Sequence, residues 1–225
     1  MIAQIKSQIP NILTCANLVC GCFGIISVFQ ISLEWAAYFI YIAVIFDFAD
    51  GFVARLLKVQ GEMGKQLDSL SDVVSFGVLP GFILFRLMNE AQGGGWAYLA
   101  MLVPAFSALR LAKFNIDPRQ GDSFIGVPTP ANALFISALP FAGAHLPALL
   151  SLPVLAAVAV VMSLLLVAEL PLLALKFKNW NWQQYKFQYI LLLTGFILLF
   201  TFKFAAIPLI IVIYIGISII KKIAS

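Results

Sequence analysis

The sequence predicts an all-α, polytopic membrane helix bundle of about eight transmembrane helices, with six as the alternative count and both termini cytoplasmic. Three observations carry this expectation. Of 225 residues, 62% are hydrophobic and 11% charged, and the mean hydropathy is +1.01, which is more apolar surface than a soluble core uses. The apolar residues fall into runs of the length that spans a bilayer, roughly 17 to 25 helical residues. The basic residues gather at alternate ends of those runs.

Residues 1–9, with Lys6, form a short polar lead, and Pro10-Asn11 reads as a helix start with Asn11 as cap. The first span then runs from about Ile12 to Ile31, too long for the apolar part of a signal peptide and without a convincing cleavage site. Its Cys15, Cys20 and Cys22 read as small buried thiols without ligand spacing. Further spans run from about Trp35 to Leu57, Leu70 to Met88, Trp96 to Phe114, Pro130 to His145, Leu149 to Leu175, Phe187 to Phe202 and Phe204 to Ile220. The fifth and seventh are the shortest. Breaks fall at Gln60-Gly61-Glu62, at Gly93-Gly94-Gly95, between Asp117 and Pro130, and between Lys176 and Lys186, where Trp180 and Trp182 read as interfacial anchors. No second domain, low-complexity tract or internal repeat is evident, so residues 1–225 read as one membrane domain.

With a cytoplasmic amino terminus, Lys6, Arg55, Lys58, Lys65, Arg110, Lys113, Arg119, Lys176, Lys178, Lys186, Lys221 and Lys222 lie inside, and Arg86 and Lys203 outside. That asymmetry follows the positive-inside rule. The net charge of +4 is therefore read as topology and attraction to a lipid surface; no basic, aromatic-interleaved patch points to nucleic acid.

Four of the ten acidic residues stand between positions 47 and 72: Asp47, Asp50, Asp68 and Asp72. Spacings of three and four put each pair on one helix face, one turn apart. Two facing pairs would make a cage of oxygen ligands, suited to Mg²⁺ or Mn²⁺ and not to zinc. Without a cation the carboxylates would repel one another. Gly51, Ala54 and Gly64 are small residues that allow close helix packing or close approach of a flat ligand, and among the aspartates they suggest a substrate slot.

The run Asp47-x-x-Asp50-Gly51-x-x-Ala54-Arg55, eight residues, Gly64-x-x-x-Asp68-x-x-x-Asp72 resembles the signature of the CDP-alcohol phosphotransferase family at every fixed position. The resemblance implies a bilayer-embedded enzyme acting on a CDP-linked lipid with CMP as leaving group. It implies two divalent ions, Mg²⁺ or Mn²⁺, one held by Asp47, Asp50 and Asp68 and one by Asp47, Asp68 and Asp72, with Asp72 also the general base. It places Gly51, Ala54, Arg55, Gly64, Asn11 and Thr14 at the CDP-lipid, with Asn17 on the same nucleotide-facing stretch of the first helix. A homodimer in a bacterial inner membrane, with the site facing the cytoplasm, is expected from it as well.

The stretches Leu67 to Pro80, Ala108 to Asn115 and Phe124 to Ala131 are similar to the membrane-embedded phosphatidylserine synthase branch of that family, over roughly residues 8–135. This implies CDP-diacylglycerol as donor and L-serine as acceptor. Arg110 and Lys113, with Asn115 just beyond, would then meet the serine carboxylate or the lipid phosphate. Glycerol 3-phosphate or an inositol compound is the alternative acceptor, but a phosphorylated acceptor calls for more cations than Arg110, Lys113 and Arg119 offer. A cation transporter is the reading from another class; it would place its acids near the midplane on paired broken helices. Glu169 stands within the sixth span, where a carboxylate is expected to pair with a basic residue. His145 reads as structural.

Overall fold

The computed structural model describes residues 2–59, 61–117, 124–173 and 182–224. Ten α-helices appear among them: α1 (Ile2–Gln30), α2 (Leu33–Leu57), α3 (Glu62–Asp72), α4 (Leu79–Glu90), α5 (Leu102–Ile116), α6 (Thr129–Ser137), α7 (Leu139–His145), α8 (Leu152–Val167), α9 (Trp182–Phe202) and α10 (Ile207–Ala224). The architecture is an all-α bundle with one minimal antiparallel pair, β1 (Phe124–Ile125) against β2 (Pro171–Leu172). Five stretches of the described residues are long and apolar enough to cross a membrane: Gln8–Gln30, Leu33–Leu57, Glu62–Glu90, Gly94–Ile116 and Tyr185–Lys222. The last folds back on itself, because Lys203 adopts a left-handed φ of 51° and the turn at Lys203–Ala206 sets α10 against α9.

Several predicted boundaries move. The first helix starts at Ile2 and runs through Pro10, so Asn11 lies inside it and caps nothing. Proline's φ suits a helix, and the ring forfeits only the hydrogen bond its own nitrogen would donate. The fifth span is two short helices, α6 and α7, parted at Ala138 just ahead of Pro140. The sixth stops at Val167, beyond which Ala168 is extended and Glu169 is exposed. Glu169 therefore stands past a helix end, and the pull on the chain there is the β1–β2 pairing. The backbone before α6 docks on the same place: Val127 N–H donates to the Leu165 carbonyl (2.9 Å), supplying one of the acceptors that a helix end leaves open. Gly126 makes this approach possible, since its φ is +77° and a Cβ there would lie 2.6 Å from the Leu166 carbonyl oxygen. Lys176, Lys178, Trp180 and Arg119 lie outside the described residues.

Local chemistry sets the turn that matters most. Ser32 caps α2 by accepting from the Trp35 amide (3.3 Å). At the other end Lys58 turns left-handed (φ 56°), with Lys58 N–H on the Arg55 carbonyl and Val59 N–H on the Ala54 carbonyl, a Schellman-like stop without glycine. The chain then reverses into α3. Between α3 and α4 the rod does not break but widens into a π-helix over Val73–Val78, with Leu79 N–H bonded five residues back to Val74. Pro80 follows and cannot donate to the carbonyl four residues behind it. A π segment of this length is rare and recurs at functional sites.

Small residues hold this segment against its neighbours. A Cβ on Gly21 of α1 would lie 2.6 Å from Ser75 Oγ and 3.0 Å from Ser75 Cα, and one on Gly81 would lie 2.8 Å from Pro104 Cδ. Backbones thus meet at distances that only glycine permits, the usual way for membrane helices to gain packing energy. Gly21→Ala should therefore lower the thermal unfolding midpoint in detergent, at a cost of about 1–3 kcal/mol for overpacking. Gly216→Ala, with nothing within 4 Å of the added methyl, should leave it unchanged or raise it.

Candidate active site

Helix α1 packs along α2 and against α3, so it forms the floor of a cleft whose walls are the other two. Asp47 and Asp50 project from α2 and Asp68 from α3; one carboxylate oxygen from each lies within 4.8 Å of the others. The spacing of three on α2 and the reversal at Lys58 together produce this meeting. Asp50 is 6% exposed, and its Oδ2 accepts from the Thr14 hydroxyl of α1 at 2.6 Å. The same hydroxyl lies 3.0 Å from the Pro10 carbonyl, so Thr14 is anchored whichever acceptor takes its proton.

Asp72 lies one turn past Asp68, also 6% exposed, outside the three-oxygen cluster but near enough to interact electrostatically with Asp47 and Asp68. Asn17 Nδ2 donates to Asp72 Oδ1 at 3.2 Å. Asn17 is itself held by its backbone carbonyl, which accepts from Ser75 Oγ at 2.9 Å. The π segment thus fixes the residue that orients Asp72. Asn17 has a sequence signal, a polar side chain one turn beyond Thr14 on the nucleotide-facing stretch; its bond to Asp72 has none.

The cleft holds about 430 Å³ and brings together all six residues expected at the CDP-lipid: Asn11, Thr14, Gly51, Ala54, Arg55 and Gly64. Asp50, Asp68, Pro10, Val59, Gly61, Glu62 and Lys65 complete its wall; of these Val59, Gly61, Glu62 and Lys65 carry no spacing that would have marked them. A Cβ on Gly51 would meet nothing within 4 Å, and one on Gly64 would meet only Asn11 Oδ1 at 3.6 Å. These glycines therefore face the cleft and not a packed helix. Arg55 is exposed within the same lining.

The residues expected at the acceptor separate. Arg110 of α5 is buried at 8% exposure; its Nη1 donates to Thr129 Oγ1 at 2.7 Å, Phe114 lies under its guanidinium, and its charge faces Asp72. Lys113 is exposed. Asn115 serves as a tie: its Nδ2 donates to Ser69 Oγ at 2.8 Å while its carbonyl accepts from Lys65 Nζ at 2.9 Å. It clips the end of α5 to α3, the helix that carries Asp68 and Asp72.

The donor set at the cluster is all carboxylate oxygen, and Asp68 Oδ1 is buried without a hydrogen-bond partner among the described residues. An orphaned anionic oxygen in such a place fits a hard metal cation, so the aspartates can hold one.

Comparison with known proteins agrees with this chemistry. A family model described as CDP-alcohol phosphatidyltransferase matches residues 7–219. The chain is 33% identical over 135 residues to the CDP-diacylglycerol–serine O-phosphatidyltransferase of Bacillus subtilis, covering 60% of this chain and 76% of that one. It is 35% identical over 129 residues to the enzyme of the same name from Helicobacter pylori, covering 56% of this chain and 54% of the relative. It is 35% identical over 144 residues to the archaetidylserine synthase of Methanothermobacter thermautotrophicus, covering 60% and 58%. The chain thus spans little more than half the length of the last two. With the family model matched almost from end to end, the chain belongs to the CDP-alcohol phosphatidyltransferase family.

Proposed function

We propose that this chain transfers the phosphatidyl group of CDP-diacylglycerol to the hydroxyl of L-serine, giving phosphatidylserine and CMP. The observation that carries the reading is the convergence of three carboxylates, Asp47, Asp50 and Asp68, two of which, Asp50 and Asp68, line a cleft whose glycines leave open space. The names of the relatives support serine as acceptor. Arg110 supports a carboxylate-bearing acceptor, since it is a buried cation close enough to Asp72 to interact with it electrostatically.

In this reading the nucleotide lies over Gly51, Ala54 and Gly64, between Asn11 and Thr14 on one side and Arg55 on the other, with Arg55 toward the diphosphate. Asp72, oriented by Asn17, takes the proton of the serine hydroxyl, and Arg110 holds the serine carboxylate. The serine oxygen bonds to the lipid-bearing phosphorus as the phosphorus–oxygen bond to CMP breaks. Asp47, Asp50 and Asp68 would hold one divalent ion and Asp47, Asp68 and Asp72 a second, Mg²⁺ or Mn²⁺, which would supply neutralisation of the diphosphate and of the departing phosphate. The bundle crosses the inner membrane of a bacterium eight times as a homodimer, with both termini and the cleft on the cytoplasmic side.

Purified protein in detergent should release CMP from CDP-diacylglycerol with Mn²⁺ or Mg²⁺ when serine is added, and not with glycerol 3-phosphate or inositol. Asp72→Asn should lower that rate by at least about a hundredfold, the lower range for loss of a general base. Release with another alcohol would overturn serine while keeping the aspartate chemistry; release with none would overturn the reaction. In a Mn²⁺ titration followed by electron paramagnetic resonance, Asp68→Asn should weaken binding about tenfold or more, because one carboxylate removed from a hard-cation site costs its charge as well as its oxygen. Unchanged Mn²⁺ affinity would remove Asp68 from the ligand set.

A further inference from the structure

Above the Arg110–Thr129 bond lies a second polar layer that the chemistry described so far does not use. One turn into the bundle from that bond, Arg110 is followed on its own helix by Ser107, and Thr129 on its own by Asn132, each three residues away and so on the same face. Ser107 and Asn132 are both 0% exposed. Ser107 Oγ and both amide atoms of Asn132 have no hydrogen-bond partner among the described residues, and neither does Arg110 Nε. Helices α5 and α6 touch each other, and both pack on the π segment that follows Asp72. Ser107 sits directly on that segment, its Cβ 3.0 Å from where a Cβ of Gly77 would be.

A buried amide left without partners is expensive, because it gives up its hydrogen bonds to water and gains none in return. In α6 the residues around Asn132 are Ala131, Ala133 and Leu134, and an apolar side chain there would carry no such penalty. A fully buried amide one helical turn from Thr129, the partner of a buried guanidinium whose Nε is unpartnered, makes a set of groups suited to a ligand that is small, polar and doubly charged. Arg110 offers donors to an anion. Asn132 Oδ1 and Ser107 Oγ offer acceptors to a cation.

Resting on the reading of serine as acceptor, we infer that Asn132 and Ser107 bind the serine ammonium, while Arg110 takes the carboxylate, and that Asn132 thereby selects an amino-bearing alcohol. The arrangement sorts acceptors by their second charge. An alcohol with the carboxylate but no ammonium leaves the Asn132 oxygen unpaired on binding, and that loss is what discriminates.

The test compares L-serine with 3-hydroxypropionate, which keeps the hydroxyl and carboxylate and lacks the ammonium, in steady-state CMP release by the full-length protein and by Asn132→Ala and Ser107→Ala. The wild type should prefer serine in kcat/KM. In Asn132→Ala the KM for serine should rise about tenfold, the scale of one hydrogen bond to a charged group, and the preference over 3-hydroxypropionate should shrink by the same factor. The KM for CDP-diacylglycerol should not change. If Asn132 serves only to hold the helices together or to bind a buried water, both acceptors should lose equally and their ratio should stay as in the wild type, which would overturn the inference. Ser107→Ala is the milder variant; were Asn132→Ala to misfold, a drop in the ratio for Ser107→Ala would support the inference and an unchanged ratio would overturn it. Wild-type protein that ignores serine but accepts another alcohol would instead defeat the serine assignment itself, a distinguishable result.

Discussion

Three carboxylates whose oxygens lie within 4.8 Å of one another are the constraint to which the rest of this bundle answers. At an effective dielectric near 20, each such pair repels by roughly 3–4 kcal/mol, and no apolar packing requires them to be together. What holds them is the geometry around them. The left-handed turn at Lys58 reverses the chain so that α3 returns to α2, and α1 lies against both. Thr14 and Asn17, one turn apart on α1, each hold one carboxylate by a hydrogen bond, Asp50 and Asp72 respectively. The repulsion is thus stored in a rigid frame and is relieved when a cation lies among the oxygens.

That frame depends on close backbone contact. Gly21 lets α1 lie on Ser75, and Ser75 donates to the backbone of Asn17, so the register of α1 against the π segment sets where the Asn17 amide meets Asp72. The π segment begins directly after Asp72, which meets Asn17 of α1, while Phe76 and Leu79 lie in the buried core. On the far side of Asp72, the Gly126 turn docks on the end of α8 and delivers Thr129 to Arg110. Two glycine contacts, one on each side, therefore determine what the aspartate at the centre can touch.

The helical bundle was legible because apolar runs separated by Gly, Pro and charged residues admit few other solutions in a chain this hydrophobic. Where it was misread, a local competitor outweighed hydropathy. Pro10 was tolerated within a helix, the β1–β2 pairing ended α8 early, and Ala138 with Pro140 split the fifth span. Hydropathy sees none of these, since all of the residues concerned are apolar or neutral. The six cleft residues were legible through the family resemblance, whose fixed intervals map onto facing stretches of α1, α2 and α3. Arg110, Lys113 and Asn115 did not behave as a group: from 110 to 115 a helix turns through about 500°, more than a full circumference, and it buries one, exposes the next and ties the third to α3.

By itself, then, the sequence determined the membrane class, the carboxylate pairs on single helix faces and the small residues of the slot, all of which are local, periodic properties of one chain segment. The tertiary structure alone decided that Asp47, Asp50 and Asp68 converge while Asp72 stands one turn apart, that Asn17 and not a charged group orients Asp72, and that Ser107 and Asn132 form a layer above Arg110. Those are relations between residues 18 to 55 positions apart, where helix crossings and a π turn set the outcome and residue spacing carries no information.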